Sequence, residues 1–225
     1  MRWLTVGGTA AALAIGGATV WGVGWRGLGL LLAFFVSGSV LTQLAGGAGG
    51  RRTAAQVFAN GGVAAGAALL GWWPVFAGAL TAAAADTWAT EIGAFSPTSP
   101  RLITSGAPVP HGASGGITAL GTVGGVVGAT AMSWLAVGLE GPRAGVLTLA
   151  AAGVVGMFVD SVLGATAQGV FECPACGARS EQRGAVCHEP VRLIRGWPWL
   201  DNDVVNVGAT LTGAGVAAVG WQLCC

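Results

Sequence analysis

Charge is what this sequence has least of. Only 8% of its 225 residues are Asp, Glu, Lys or Arg, where a soluble globular domain carries roughly 25%, so ionised side chains are too few to clothe a water-facing surface. Lysine is missing altogether, because all ten basic residues are arginines; this excludes a lysine nucleophile or a P-loop lysine. The net charge of +1 excludes the concentrated basic face that a nucleic-acid partner requires. Proline is scarce at 9 residues, and no Gly-X-Y period orders the 41 glycines, which removes collagen and low-complexity disorder. What is abundant is apolar: 53% of residues are hydrophobic and mean hydropathy is +0.71. The fold class expected is an all-α polytopic membrane bundle, a single transmembrane domain over residues 1–225.

A bilayer core of about 30 Å takes about 20 apolar residues as helix. Seven stretches meet that requirement, at residues 4–25, 27–45, 53–70, 73–90, 115–138, 144–168 and 204–223. With seven crossings, Arg2, Arg51, Arg52, Arg101, Arg179, Arg183, Arg192 and Arg195 fall on one side and Arg26 and Arg143 on the other. Arginine is retained on the cytoplasmic side, which places the N-terminus and the longer loops in the cytoplasm and the chain in the cell membrane.

Polar residues inside the spans gather near that same face. Arg52, Gln56 and Asn60 are spaced i, i+4, i+8, on one helical face. Asp160, Gly164 and Gln168 repeat the spacing, as do Asn202, Asn206 and Thr210, with Asp201 and Asp203 beside them. Such stripes serve either as interhelical glue or as walls of a site. Asp86 follows a run of alanines and Glu91 lies five residues on. A carboxylate in a span costs about 2.5–3.5 kcal/mol at mid-membrane, so a metal, phosphate chemistry or an arginine partner is expected to compensate. On an ideal helix the two are about 140° apart and share a site only if the helix ends or bends between them. In Pro108-Val109-Pro110-His111-Gly112-Ala113-Ser114-Gly115-Gly116, Ser114 is placed to cap the following helix, and the backbone N–H groups there can cradle an anion. Arg101 and His111 stand nearby in sequence.

The loop at residues 169–200 carries Cys173-Pro174-Ala175-Cys176-Gly177 and, further on, Cys187-His188. These four side chains suit structural Zn²⁺ as a small zinc-ribbon-like unit. A three-cysteine site and a reversible disulfide are the alternatives. Cys224 and Cys225 are read as free or lipid-modified.

Five segments in order carry a family resemblance: Gly50-Arg51-Arg52-Thr53-Ala54-Ala55-Gln56-Val57-Phe58-Ala59-Asn60, Ala85-Asp86-Thr87-Trp88-Ala89-Thr90-Glu91-Ile92-Gly93, Gly112-Ala113-Ser114-Gly115-Gly116, Asp160-Ser161-Val162-Leu163-Gly164-Ala165 and Asp203-Val204-Val205-Asn206. They resemble the membrane family long labelled domain of unknown function ninety-two, which includes transmembrane protein nineteen and the plant phytyl-phosphate kinase. The resemblance implies a membrane isoprenoid-monophosphate kinase that uses CTP or ATP. On that reading Asp86, Glu91, Asp160 and Asp203 hold Mg²⁺. Arg51, Arg52, Gln56, Asn60, Arg101, His111, Ser114, Asn202 and Asn206 bind phosphates and substrate, and the isoprenoid tail lies where glycine-rich helix faces leave room. The alternatives are a CTP-dependent cytidylyltransferase acting on a lipid phosphate and a membrane transporter.

Overall fold

The structure, a computed structural model, describes residues 3–46, 50–140, 145–181 and 191–224. It is a helical membrane bundle of six helices, with short strands outside it: α1 (Val6–Leu44), α2 (Ala54–Leu69), α3 (Trp73–Gly93), β1 (Arg101–Leu102), β2 (Gly116–Ile117), α4 (Ala119–Glu140), α5 (Val146–Thr166), β3 (Val170–Glu172), β4 (Arg179–Ser180), β5 (Arg192–Arg195) and α6 (Asn202–Cys224). Four of the helices, α1, α4, α5 and α6, are long and apolar enough to cross a membrane. Seven spans were expected; among the described residues four helices meet the length and hydropathy of a span, for three reasons. α2 is apolar but has only 16 residues. α3 draws its apolar character largely from alanine rather than from larger aliphatic side chains. The first two expected spans form one element, α1, interrupted only at Gly24.

At Gly24 the backbone leaves helical geometry (φ 71°, ψ −168°), a conformation that glycine adopts without a Cβ penalty. The chain reverses there. A Cβ added at Gly16 would lie 3.7 Å from Leu28 Cδ1, although twelve residues of continuous helix span about 18 Å. The rings of Trp3 and Phe35 also meet edge to face, at 5.8 Å. α1 is therefore a hairpin whose arms are residues 6–23 and 25–44.

α3 is the central helix. It packs against each of the other five, and 12 of its 21 residues are buried. The glycines of its neighbours set how closely they approach it: a Cβ on Gly125 would sit 2.9 Å from Ala85 O, one on Gly153 2.7 Å from Thr81 Cγ2, and one on Gly213 2.6 Å from Gly78 O. These faces are closed by direct approach, which small residues permit between membrane helices, whereas nothing lies within 4 Å of a Cβ added at Gly17, Gly29, Gly66, Gly138 or Gly215. Larger side chains, including Leu30, Phe34, Phe76, Leu80, Met132 and Leu149, fill the end of the core away from the polar face.

Between α5 and α6 lies a three-stranded antiparallel sheet, in the order β4-β3-β5. Its inner side holds Phe171 and Cys173, and Cys173 and Cys176 flank a tight turn in which Gly177 N donates to Cys173 O at 2.8 Å. The expected zinc ribbon is not supported. Cys187 and His188 lie outside the described residues, and among the described residues no group of three or more His, Cys, Asp or Glu could hold a metal ion.

Candidate functional site

Four of the polar segments singled out in the sequence meet around one cavity of about 700 Å³. The segment leading into α2 contributes Arg52, and α2 contributes Gln56 and Asn60; α3 contributes Asp86 and Glu91; α5 contributes Asp160; and α6 contributes Asn202 and Asn206. His111 and Ser114 lie on the wall formed by the segment before α4.

The α2 wall is held by its own helix start. Thr53 accepts a hydrogen bond from Gln56 N (3.3 Å), while Gln56 Oε1 accepts one from Thr53 N (2.9 Å), a reciprocal capping box. Just before this cap, the Arg52 backbone pairs with the start of α1, through Arg52 N to Trp3 O (3.0 Å) and Thr5 N to Arg52 O (3.1 Å). The Arg52 guanidinium lies 5.6 Å from the centroid of the Phe35 ring, within cation–π range. It makes no ion pair within 4.0 Å among the described residues. Burial lowers its pKa from the ordinary value, and the charge of Glu91 opposes that shift. Glu91 itself accepts a 2.5 Å hydrogen bond from Thr42 Oγ1 of α1.

Asp86 and Glu91 line the same cavity although α3 continues unbroken to Gly93. The cavity is wide enough to take both faces of the helix end: Glu91 turns to α1, and Asp86 comes close enough to Asp160 for their charges to interact. The arginine partner considered for Asp86 is not made; no ion pair to it occurs among the described residues. Asp160 Oδ2 is buried and accepts no hydrogen bond. An unsatisfied buried carboxylate oxygen is costly, and Asp160 lines the cavity.

The remaining amides are partly spent on their own helices. Asn60 Nδ2 donates to Gln56 O (3.0 Å) and Asn206 Nδ2 to Asn202 O (2.8 Å). Thr210 Oγ1 bridges toward Ala59 O (3.4 Å), tying α6 to α2. Three sequence candidates lie off the cavity lining: Arg51, Arg101 and Asp203. Arg51 and Arg101 are exposed, and Arg101 Nη1 is bound to Gly106 O at 2.8 Å.

Ser114 does not cap α4. Strand β2 intervenes, and Thr118 takes the capping role by accepting from Gly121 N at 2.9 Å. The Ser114 donors go elsewhere: its N–H and its Oγ–H both bond the carboxylate of Glu181, at 2.8 and 2.6 Å. Sequence reading also missed Thr42, Thr87, Thr90, Thr118, Thr122 and Ser161, all on the cavity wall. Thr87 and Thr90 lie between the two carboxylates, and Thr118 and Thr122 are four residues apart on one helical face, so a signal existed; only Thr42 stands apart from any polar stripe.

Over residues 1–214 the sequence matches the family model described as integral membrane protein DUF92. Among characterised and uncharacterised relatives, it is 30% identical over 229 residues to Protein PGR of Arabidopsis thaliana, covering 81% of this chain and 77% of the plant protein. It is 29% identical over 227 residues to uncharacterized membrane protein sll0875 of Synechocystis sp., covering 89% and 76% of the two chains. To uncharacterized membrane protein MJ0933 of Methanocaldococcus jannaschii it is 33% identical over 186 residues, covering 76% and 72%. No solved structure matches.

Proposed function

The chain belongs to the DUF92 family of integral membrane proteins, and from that membership and the cavity's geometry we propose that it transfers a phosphoryl group from a nucleoside triphosphate to an isoprenoid monophosphate. The observation that carries the reading is the pair of carboxylates Asp86 and Asp160, with Asp160 Oδ2 buried and unsatisfied among the described residues, in a cavity that also receives the guanidinium of Arg52, which makes no ion pair among them. Acid and base held apart in one enclosure suit a ligand that brings both a metal and phosphate oxygens.

Mg²⁺ commonly takes only one or two protein carboxylates and completes its shell with waters and substrate phosphates. Asp86 and Asp160 fit that donor set, whereas a four-carboxylate cage that adds Glu91 and Asp203 does not: Glu91 is engaged by Thr42, and Asp203 lies off the lining. Held by Asp86 and Asp160, the metal would supply positive charge that neutralises the group in transfer. Arg52 supplies N–H donors to phosphate oxygens from the same cavity wall. An oxygen of the acceptor phosphate attacks the terminal phosphorus of the donor, the bond to the bridging oxygen breaks, and the nucleoside diphosphate leaves. The acceptor is already an anion, so no strong base is needed. The apolar tail lies toward Ile117 and Phe158 on the cavity wall.

The topology that goes with this reading has seven crossings, with each arm of α1 counted once, the N-terminus and cavity mouth cytoplasmic, and the protein in the cell membrane. Arg26 and Glu140, which pair at 3.6 Å, then lie at the opposite face. Titration of the purified protein with nucleotide tests the reading. Nucleotide should raise the melting temperature in the presence of Mg²⁺, and Asp160→Asn should abolish the Mg²⁺-dependent part. A nucleotide effect indifferent to Mg²⁺ in the wild type would count against it.

A further inference from the structure

Glu181 lies beyond the end of β4, and neither it nor any strand residue of the three-stranded sheet lines the cavity. Yet its carboxylate makes three hydrogen bonds to the cavity's surroundings. Ser114 N and Ser114 Oγ donate to it at 2.8 and 2.6 Å, and Gln168 Nε2 donates at 2.9 Å. Charge-assisted bonds of this kind are about twice as strong as neutral ones. Gln168 is 1% exposed, and its Oε1 finds no hydrogen-bond partner among the described residues.

The same sheet is stitched to the end of α5 at other points. Arg195 Nη2 of β5 donates to Gly164 O at 2.8 Å, and Trp197 N donates to Ala167 O at 3.0 Å. Gly164 in turn presses on the Ser114 segment: a Cβ there would lie 2.9 Å from Gly115 N and 3.1 Å from Ser114 Cβ. Gly164 is one helical turn beyond Asp160, on the same face. Gly112 and Gly115, either side of Ser114, have positive φ of 82° and 78°, so the segment's path depends on what holds it in place.

We propose that Glu181 is a positioning residue: the extramembrane sheet uses its carboxylate to clasp Ser114, and so sets the cavity wall that faces Asp160. This rests on the phosphotransferase reading for its kinetic consequence, though not for the clasp itself. A wall displaced by an ångström can cost about a hundredfold in turnover without touching a reacting group.

The test uses the full-length protein in detergent, with Glu181→Ala and Glu181→Gln. Amide hydrogen exchange over residues 111–118 should speed up by roughly tenfold or more in Glu181→Ala, in line with the loss of charge-assisted bonds. Glu181→Gln keeps one acceptor oxygen and should fall between that variant and the wild type. With nucleotide and isoprenoid phosphate, kcat should drop by about tenfold to a hundredfold in Glu181→Ala while KM for the isoprenoid phosphate stays within threefold, and Glu181→Gln should recover part of kcat. Unchanged exchange at Ser114 in both variants overturns the clasp. So does faster turnover with tighter nucleotide binding in Glu181→Ala, which would make Glu181 a competitor for substrate phosphate. If the wild type transfers no phosphoryl group, the functional reading fails by itself, and the exchange measurement still decides the clasp.

Discussion

Asp160 has one buried carboxylate oxygen that finds no donor among the described residues. A neutral, isosteric amide removes its charge while keeping its volume, so Asp160→Asn and Asp86→Asn should fold normally and elute as the wild type does. Their turnover should fall by about a thousandfold or more, because metal and arginine contacts supply much of the stabilisation in phosphoryl transfer. Steady-state rates for the two variants check this, and near-wild-type turnover in both removes the metal assignment. Arg52→Lys is the companion test. A lysine keeps the charge but loses the planar fork of donors, so we expect about a tenfold to hundredfold loss in kcat/KM for nucleotide. At this scale the sequence was informative where a polar residue stands in an apolar run, as Asp86, Asp160, Asn60 and Asn206 do. It misled at Ser114, because a helix start read from spacing takes no account of the two-residue strand β2 inserted before Ala119, and Glu181 gave no sign at all, since its partners are 13 and 67 residues away in sequence.

Helix boundaries followed the sequence closely: the expected spans at residues 53–70, 73–90 and 204–223 correspond to α2, α3 and α6 within three residues at each end. Hydrophobic runs set these limits. What they could not set was the use made of glycine, since the same residue can loosen a packed face or let two backbones touch. Two positions on α6 separate these uses. A Cβ at Gly213 would lie 2.6 Å from both Ala82 Cβ and Gly78 O, whereas nothing lies within 4 Å of one at Gly215. Gly213→Ala should therefore destabilise the bundle by about 1–3 kcal/mol. Gly215→Ala should be neutral or stabilising by up to about 1 kcal/mol, the ordinary gain in a helix interior. Thermal unfolding of the two variants in the same detergent gives the comparison directly, and equal melting temperatures would contradict close packing at the α3–α6 seam.

For the whole molecule, the hairpin at Gly24 decides how many times the chain crosses the membrane, and the boundary read between residues 4–25 and 27–45 lies two residues from it. With α1 folded back, a reporter fused at the N-terminus should report cytoplasm and one fused after Cys225 the opposite side; both on one side would mean an even number of crossings and would overturn the arginine-based orientation. The role of the cysteine loop was not legible, for a contact that links it to the cavity wall runs through the acidic Glu181. All of these placements matter only if the cavity performs phosphoryl transfer. The most direct test incubates purified protein, Mg²⁺ and an isoprenoid monophosphate with nucleoside triphosphate labelled either at the γ-phosphorus or at the α-phosphorus, and then separates the lipid products. The account predicts a lipid diphosphate that carries the γ label and none of the α label, formed by the wild type and lost in Asp160→Asn. A lipid product carrying the α label would mean nucleotidyl transfer, and no labelled lipid from either nucleotide, with CTP and ATP both tried, would contradict the account.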